Sequence, residues 1–236
     1  MLPRVGAPEA SSPVHNGPVT PLALFDLDNT LVDRQGAFER WARGFVADHG
    51  LPAEAVPCLL DLDADGFASR QTVFDGVRER FALTGTTESL VVAYRREYPA
   101  SFVPDPRVRS ALTRLREHGW RTGVVTNGPP SQRDKLERAG LVDLLDGWCI
   151  SDEVGVAKPD RRIFDEARRL CAAPDGGDGT VWMVGDTAVP DIAGGRGAGL
   201  RTIWMHRGRT WDADAYRPDA QAGSIAEAVE VLLGNG

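Results

Sequence analysis

The sequence predicts an α/β fold in which a parallel sheet has helices on both faces and an all-helical segment is inserted near its start. From residue 105 onward, short apolar runs alternate with segments of helical periodicity, which is typical of parallel strands joined by right-handed crossovers. Residues 34–104 instead carry apolar positions at helical spacing and no convincing strand. We therefore expect a core domain over 20–33 and 105–236, a helical insertion over 34–104 and a disordered, proline-containing tail over 1–19.

Each element follows from its own local pattern. The first strand is expected in the apolar run 23–31, which ends in two aspartates and a threonine. A helix over about 106–118 precedes the β-branched strand 121–126, and Ser131 is the expected N-cap of a helix that ends before Gly140. The remaining elements are expected alternately as strand and helix, in chain order, at 147–150, 160–172, 180–184, 190–198 and 201–205.

Composition places the chain among ordinary globular proteins. Hydrophobic residues make up 42% and charged residues 26% of the 236 residues, so neither a membrane protein nor a disordered one is expected. The formal net charge of -7 argues against nonspecific nucleic-acid binding. Three scattered cysteines predict reduced thiols rather than disulfides or a zinc site. Because the first 20 residues lack the apolar stretch of a secretory signal, we expect a cytoplasmic protein. It is expected to be a monomer or homodimer, with no nucleic-acid or membrane partner.

Two carboxylates stand at the end of the first strand. Asp26 and Asp28 are two residues apart, so they share one face of the strand while Leu27 points into packing. Ligands bind at the carboxyl ends of the strands in open α/β sheets, and hard oxygen ligands suit Mg²⁺. The segment therefore predicts a metal-assisted reaction at this edge of the sheet.

Polar residues also stand at the ends of later strands. Thr126 and Asn127 end the second strand, Asp186 follows the fourth, and Lys158 lies in a loop before a helix. Because the carboxyl ends of parallel strands meet at one edge, these side chains are expected to converge there. Asp191 follows by a short turn and is expected to reach the same edge, where it would orient Lys158 or a metal-bound water.

These motifs, in this order, resemble the four motifs of the haloacid dehalogenase (HAD) superfamily. The matching segments are 26–30 (DLDNT), Thr126-Asn127, Lys158-Pro159 and Gly185-Asp186 with Asp191. The resemblance covers the chain from about residue 20 to the C-terminus and implies a Rossmann-like α/β core, with the helical insertion similar to the family's C1-type cap. Within the superfamily, the motif sequences look most similar to the branch that contains pyrimidine 5'-nucleotidases and N-acylneuraminate-9-phosphatases.

The resemblance implies a phosphoryl-transfer role for the first motif. Asp26 would attack phosphorus and form an aspartyl-phosphate, and Asp28 would protonate the leaving oxygen and then activate water. This division of labour implies a neutral Asp28 beside an ionised, metal-bound Asp26. Mg²⁺ would be held by Asp26, the backbone carbonyl of Asp28 and Asp186. Asp28 also points to phosphoryl transfer, because dehalogenases of the superfamily lack a carboxylate at that position.

The other motif residues would bind substrate or support the site. By resemblance, Thr126 and Lys158 would hold the phosphoryl oxygens, with Asn127 beside them in the substrate site. Thr30 would help fix the turn after the first strand. Asp191 would support the site by orienting Lys158.

The expected function is a Mg²⁺-dependent phosphatase that acts on a small phosphate ester, a sugar phosphate or a nucleoside monophosphate. Arg34 and Arg70 are hypothesised to contact the leaving group, because both are cationic and lie near the expected cleft mouth. The acidic run 61–66 is expected to be a polar loop of the insertion, since Thr72 stands where a calcium-binding EF-hand needs a glutamate. The alternatives are a phosphomutase of the same fold and a non-catalytic metabolite-binding protein on this scaffold.

Overall fold

A computed structural model describes residues 20–172 and 180–234. The tail expected to be disordered, 1–19, lies outside the described residues. Within the described ranges no helix has both the length and the apolar character needed to cross a membrane.

The core is a six-stranded sheet in which every pair of neighbouring strands is parallel, in the order β3-β2-β1-β4-β5-β6. The strands are β1 Leu22–Phe25, β2 Arg121–Thr126, β3 Gly147–Ile150, β4 Val181–Gly185, β5 Arg201–Met205 and β6 Ala220–Ala222. The central strand β1 is buried along its whole length, as expected for a strand covered on both faces. The predicted parallel α/β fold is therefore confirmed.

Ten α-helices surround the sheet or form the insertion in the described residues. They are α1 Arg34–Asp48, α2 Ala55–Asp63, α3 Arg70–Phe81, α4 Thr87–Glu97, α5 Pro106–Glu117, α6 Gln132–Arg138, α7 Ser151–Val154, α8 Arg161–Leu170, α9 Gly194–Gly197 and α10 Ile225–Gly234. Short 3₁₀ turns cover Ala64–Gly66, Tyr98–Ser101 and Val142–Leu144, and a π-helical turn covers Ala188–Ala193.

Side-chain caps fix where several helices begin. The N-cap side chains of α1, α3, α4, α5 and α8 each accept a hydrogen bond from a backbone N–H in the first turn, which satisfies a donor that the helix itself leaves free. These residues are Asp33, Ser69, Thr86, Asp105 and Asp160. Ser131, the expected N-cap of α6, precedes that helix but makes no such bond.

The insertion has its own apolar core. The predicted stripe of Phe38, Trp41 and Phe45 is buried there, and the Trp41 ring lies edge-on to that of Tyr94 with centroids 4.8 Å apart. Two other apolar clusters contain the side chains of the sheet. The insertion therefore packs around its own aromatic centre, and we propose that it is the cap that the resemblance implies.

The structure corrects several local expectations. Strand β1 ends at Phe25, so the run to residue 31 is a turn rather than strand. The segment 190–198 contains a π-helical turn before the short α9, and 61–66 is the end of α2 followed by a 3₁₀ turn rather than a loop. Strand β6 was not predicted, because Ala-Gln-Ala offers none of the β-branched residues that mark a strand. Helix α10 was not predicted either.

Candidate active site

The predicted site residues converge at the carboxyl edge of the sheet. Asp26 follows β1, Thr126 ends β2, Asp186 follows β4, and Lys158 precedes α8. All four line a cavity of about 330 Å³, together with Asp28. The parallel sheet brings them together because its strands all end at this edge.

Lys158 joins two carboxylates at the bottom of the cavity. Its Nζ donates to Asp26 Oδ1 at 2.6 Å and to Asp191 Oδ1 at 2.7 Å, and its side chain is 2% exposed. Asp191 is itself held by Thr187, whose backbone N and Oγ1 both donate to Asp191 Oδ2. Burial disfavours the Lys158 ammonium, but the two carboxylates outweigh it and raise the pKa of Lys158 above its usual value. The lysine is therefore a fixed cation.

Three buried carboxylates are close enough to share a metal ion. Asp26, Asp186 and Asp191 each place an oxygen within 4.8 Å of the others. Burial is the main cause that raises the pKa of Asp26 to about 8, and the charges of Asp191 and Asp186 add to it, against Lys158. Burial and mutual repulsion disfavour the ionised form of these carboxylates, so the site fits a hard divalent cation such as Mg²⁺. A bound cation would favour the ionised form of Asp26 again.

Asp28 is held by side chains of helix α6; the helix was predicted, but its contacts with Asp28 were not. Lys135 Nζ lies 2.6 Å from both carboxylate oxygens, and Gln132 Nε2 donates to Asp28 Oδ2 at 3.0 Å and to Thr126 Oγ1 at 2.8 Å. Burial opposes ionisation of Asp28, yet Lys135 and Gln132 outweigh it, so the pKa of Asp28 is lowered. Lys135 and Gln132 thus favour an ionised Asp28, whereas burial favours a protonated Asp26. The expected pairing of a neutral Asp28 with an ionised, metal-bound Asp26 stays a prediction.

Asp186 is contacted by two arginines of the loop after β5. Arg207 Nη1 lies 2.8 Å from Asp186 Oδ2, and Arg209 Nη2 lies 3.1 Å from the same oxygen. Burial outweighs both cations and raises the pKa of Asp186. Arg207 also pairs with Asp65 of the insertion at 2.8 Å, while Asn29 Nδ2 donates to the other Asp65 oxygen at 3.1 Å. These contacts connect the core to the insertion beside the acidic cluster.

The side chain of Asn127 makes hydrogen bonds that fix a loop of the site, whereas the hydroxyl of Thr30 makes none to the described residues. Asn127 exchanges two hydrogen bonds with the backbone of Lys158, one through its Nδ2 and one through its Oδ1, at 2.9 and 2.8 Å. This pairing fixes the Lys158 loop against the end of β2. The hydroxyl of Thr30 is buried and has no hydrogen-bond partner among the described residues, whereas backbone N–H groups that donate to Leu27 O close the turn.

Arg34 and Arg70 meet at one carboxylate of the insertion. Both terminal nitrogens of Arg34 donate to Asp63 at 2.6 Å, and Arg70 Nη2 donates to Asp63 Oδ1. Burial opposes ionisation of Asp63, but the two guanidinium groups lower its pKa. Arg34 lines the cavity of about 330 Å³ that holds Asp26, and both arginines line a larger one of about 760 Å³ beside it. Whether either contacts the leaving group stays a prediction.

Sequence reasoning missed four residues that hold the carboxylates: Gln132, Lys135, Arg207 and Arg209. A weak signal existed for the first pair, since residues three apart share a helix face and α6 begins just after the polar end of β2. No signal marked the arginines, which lie in an irregular segment.

The comparisons with known proteins show the family of the chain. The model of the haloacid dehalogenase-like hydrolase family matches residues 20–199. Pyrimidine 5'-nucleotidase YjjG of Escherichia coli is 40% identical over 130 residues, 55% of this chain and 56% of that protein. Glyceraldehyde 3-phosphate phosphatase of Pyrococcus furiosus is 32% identical over 225 residues, 89% of this chain and 90% of that protein. A HAD phosphatase structure from Thermococcus onnurineus has a TM-score of 0.60 at 24% identity, covering 90% of this chain and 97% of that one.

The match with the Escherichia coli protein spans little more than half of each chain, whereas the Pyrococcus relative is matched almost throughout. The structural neighbour agrees with the α/β fold. The family match covers more than half of the chain, and it includes all four predicted motifs. The predicted family and enzyme class are therefore confirmed: the chain belongs to the haloacid dehalogenase-like hydrolases.

Proposed function

We propose that the chain hydrolyses small phosphate monoesters with Mg²⁺, through an aspartyl-phosphate on Asp26. The observation that carries the proposal is the contact of Asp26 with the buried Lys158 ammonium, 2.6 Å away, in a cavity that also presents Asp28 and Asp186. A nucleophile, a fixed cation for the phosphoryl oxygens, a second carboxyl for proton transfer and an acidic metal site are what this reaction requires.

In the first half-reaction the Asp26 carboxylate attacks phosphorus, the ester P–O bond breaks, and Asp28 gives its proton to the leaving oxygen. In the second, water attacks phosphorus, Asp28 takes a proton from it, and phosphate leaves as the carboxylate of Asp26 is regenerated. Lys158 remains protonated and stabilises charge on the phosphoryl oxygens. When bound by Asp26, the Asp28 carbonyl and Asp186, Mg²⁺ would neutralise part of that charge.

The contacts of Asp28 suit its role in the second half-reaction better than its role in the first. An ionised Asp28 held by Lys135 and Gln132 is suited to accept the proton of water in the second half. To protonate the leaving oxygen it must first gain a proton, which requires that substrate weaken its pairing with Lys135. We propose that Lys135 and Gln132 are positioning residues for this carboxyl.

Two features support small metabolites as substrates. The relatives are named for a pyrimidine nucleotide and for glyceraldehyde 3-phosphate, both small phosphate esters. The larger cavity, about 760 Å³, adjoins the catalytic one and shares Asp28, Arg34 and Asn127 with it, which leaves room for a leaving group of this size. Sugar phosphates and nucleoside monophosphates remain the proposed classes.

The test is phosphate release from a panel of sugar phosphates, nucleotides and an aryl phosphate, with Mg²⁺ and with EDTA. We expect metal-dependent release that Asp26→Asn lowers by at least 1000-fold, about 4 kcal/mol of transition-state stabilisation at 1.36 kcal/mol per decade. The matched control is Asp143→Asn, an exposed aspartate paired with Arg109, which should not change the rate. Isomerised product without free phosphate would favour the mutase, and no turnover of any ester would favour a binding protein.

A further inference from the structure

The larger cavity is rich in positive charge although the chain as a whole is acidic. The carboxylates of Asp28 and Asp134 line it together with five cationic side chains. The cationic residues are Arg34, Arg70, Arg95, Lys135 and Arg138. The net charge of the chain is -7, so this excess is local. A cavity whose charge opposes that of its protein concentrates anions at one place.

Within this cavity, the excess of positive charge is clearest where Arg34 and Arg70 both contact the carboxylate of Asp63. Arg34 uses both terminal nitrogens on Asp63, which is the geometry of a complete bidentate pair. Arg70 reaches the same carboxylate only through Nη2, while its Nη1 is buried and has no hydrogen-bond partner among the described residues. Two guanidinium groups against one carboxylate leave one positive charge uncompensated, and the incompletely bonded group is Arg70.

Arg70 is also held in place by the aromatic centre of the insertion. Its guanidinium carbon lies 5.2 Å from the ring centroid of Tyr94 and 5.3 Å from that of Phe38. The Tyr94 ring stacks on that of Tyr98, with centroids 4.7 Å apart. A planar cation packed on aromatic rings loses little further freedom when an anion binds, so it is preorganised for one.

We propose that the substrate's leaving group carries a second anionic group, a carboxylate or a second phosphate, which binds Arg70. Arg34, whose bonds to Asp63 are complete, is a positioning residue for this contact rather than a ligand. The inference rests on the proposed function for the identity of the reaction. It narrows the substrate from any small phosphate ester to a doubly functional anion.

Two pairs of esters that differ in one group test the inference and distinguish its two anion sources. The first pair is 3-phosphoglycerate and glycerol 3-phosphate, in which a carboxylate replaces a hydroxymethyl group. The second is fructose 1,6-bisphosphate and fructose 6-phosphate. Binding is measured by calorimetry with Mg²⁺ on Asp26→Asn, which lacks the nucleophile, and kcat/KM is measured on the unaltered chain.

We expect the member with the second anionic group, in at least one pair, to bind at least tenfold more tightly than its partner and to have the lower KM. In the same background Arg70→Gln should reduce that preference to within twofold, whereas Arg70→Lys, which keeps the charge, should retain part of it. The matched control is Arg80→Gln, an exposed arginine on the same helix, and it should keep the full preference. Circular dichroism establishes that each variant is folded.

The outcomes separate this inference from the proposed function. Equal or tighter binding of the esters that carry only one phosphate, glycerol 3-phosphate and fructose 6-phosphate, by the chain with Arg70 intact overturns the inference even if Arg70→Gln fails to fold. Hydrolysis of those esters would leave the phosphatase proposal standing. A preference that survives Arg70→Gln in a folded protein also overturns it. Conversely, a preference that depends on Arg70, without hydrolysis of any ester, supports the anion site and rejects the phosphatase.

Discussion

Replacement of Asp63 by asparagine should destabilise the protein, because that carboxylate is the anion between the buried guanidinium group of Arg34 and the partly buried one of Arg70. Asp63 is 2% exposed and Arg34 is 7% exposed, and the two are joined by two hydrogen bonds of 2.6 Å. Asp63→Asn keeps the size of the side chain and removes its charge. Arg34 and Arg70 would then lie in the insertion with no carboxylate between them.

The expected loss is about 3–5 kcal/mol in the free energy of unfolding, the range found when one partner of a buried ion pair is removed and the other stays. The control is Asp143→Asn, which breaks an equally bidentate pair with Arg109 at the surface. The side chains of that pair are 61% and 47% exposed, so solvent screens them and we expect no measurable change.

Urea denaturation followed by tryptophan fluorescence measures both variants, and pH gives a second readout. The pKa of Asp63 is lowered in the folded protein, so its contribution is present above the unfolded pKa, about 3.9, and is lost as pH falls through the folded value. The difference between Asp63→Asn and the unaltered chain should therefore be constant at neutral pH and shrink below about pH 4. Equal effects of Asp63→Asn and Asp143→Asn would refute the reasoning.

Two further substitutions test close contacts at the site. Gly185→Ala should cost about 1–3 kcal/mol in thermal denaturation, because its Cβ would lie 2.3 Å from Asp191 Cγ and the buried carboxylate would have to move. Arg207→Met should speed hydrogen exchange of the amides of 64–68 about fivefold, or about 1 kcal/mol of local opening, because Arg207 links Asp65 of the insertion to the core.

Each of these substitutions has a matched control. Gly44→Ala lies on the exposed face of α1 with no atom within 4 Å of the added Cβ, and should stabilise the chain by about 0.5–1 kcal/mol through helix propensity. Arg209→Met removes contacts to Asp186, and no contact of Arg209 with a described residue of the insertion is lost, so exchange in 64–68 should not change. A destabilising Gly44→Ala, or equal exchange in the two arginine variants, would contradict these explanations.

The sequence predicted the elements whose signals are local. The start of the apolar run 23–31 and the β-branched run 121–126 appear in the structure as strands, with the predicted polar side chains at or just beyond their ends. This works because burial on both faces makes such strands continuously apolar, and because parallel strands end at the same edge. Five strands were predicted in this way, whereas β6 at Ala220–Ala222 has no apolar run to mark it.

The partners of the catalytic candidates could not be predicted, because they depend on how distant elements pack. Lys135 contacts Asp28 across 107 residues of chain. A lysine on a short polar helix is typical of a solvated surface, and only the orientation of α6 over the turn after β1 brings it to Asp28. The lowered pKa of Asp28 was not predicted for the same reason, since the sequence does not show that the Lys135 ammonium lies beside this carboxyl.

Under the proposed function, an acidic chain must bind an anionic substrate through cationic side chains in its cavities. The net charge of -7 repels anions at long range, so attraction must come from groups that solvent and salt screen little. At the base of the site Lys158 is 2% exposed, and in the insertion the Arg34 side chain is 8% and that of Arg70 18% exposed. By our proposal for Arg70, cations at the base of the site and in the insertion favour a ligand with two anionic groups over one with a single phosphate, because a leaving group without an anion of its own would give Arg70 no counter-charge. Specificity would then depend on the distance between the two anions of the ligand as well as on their charge.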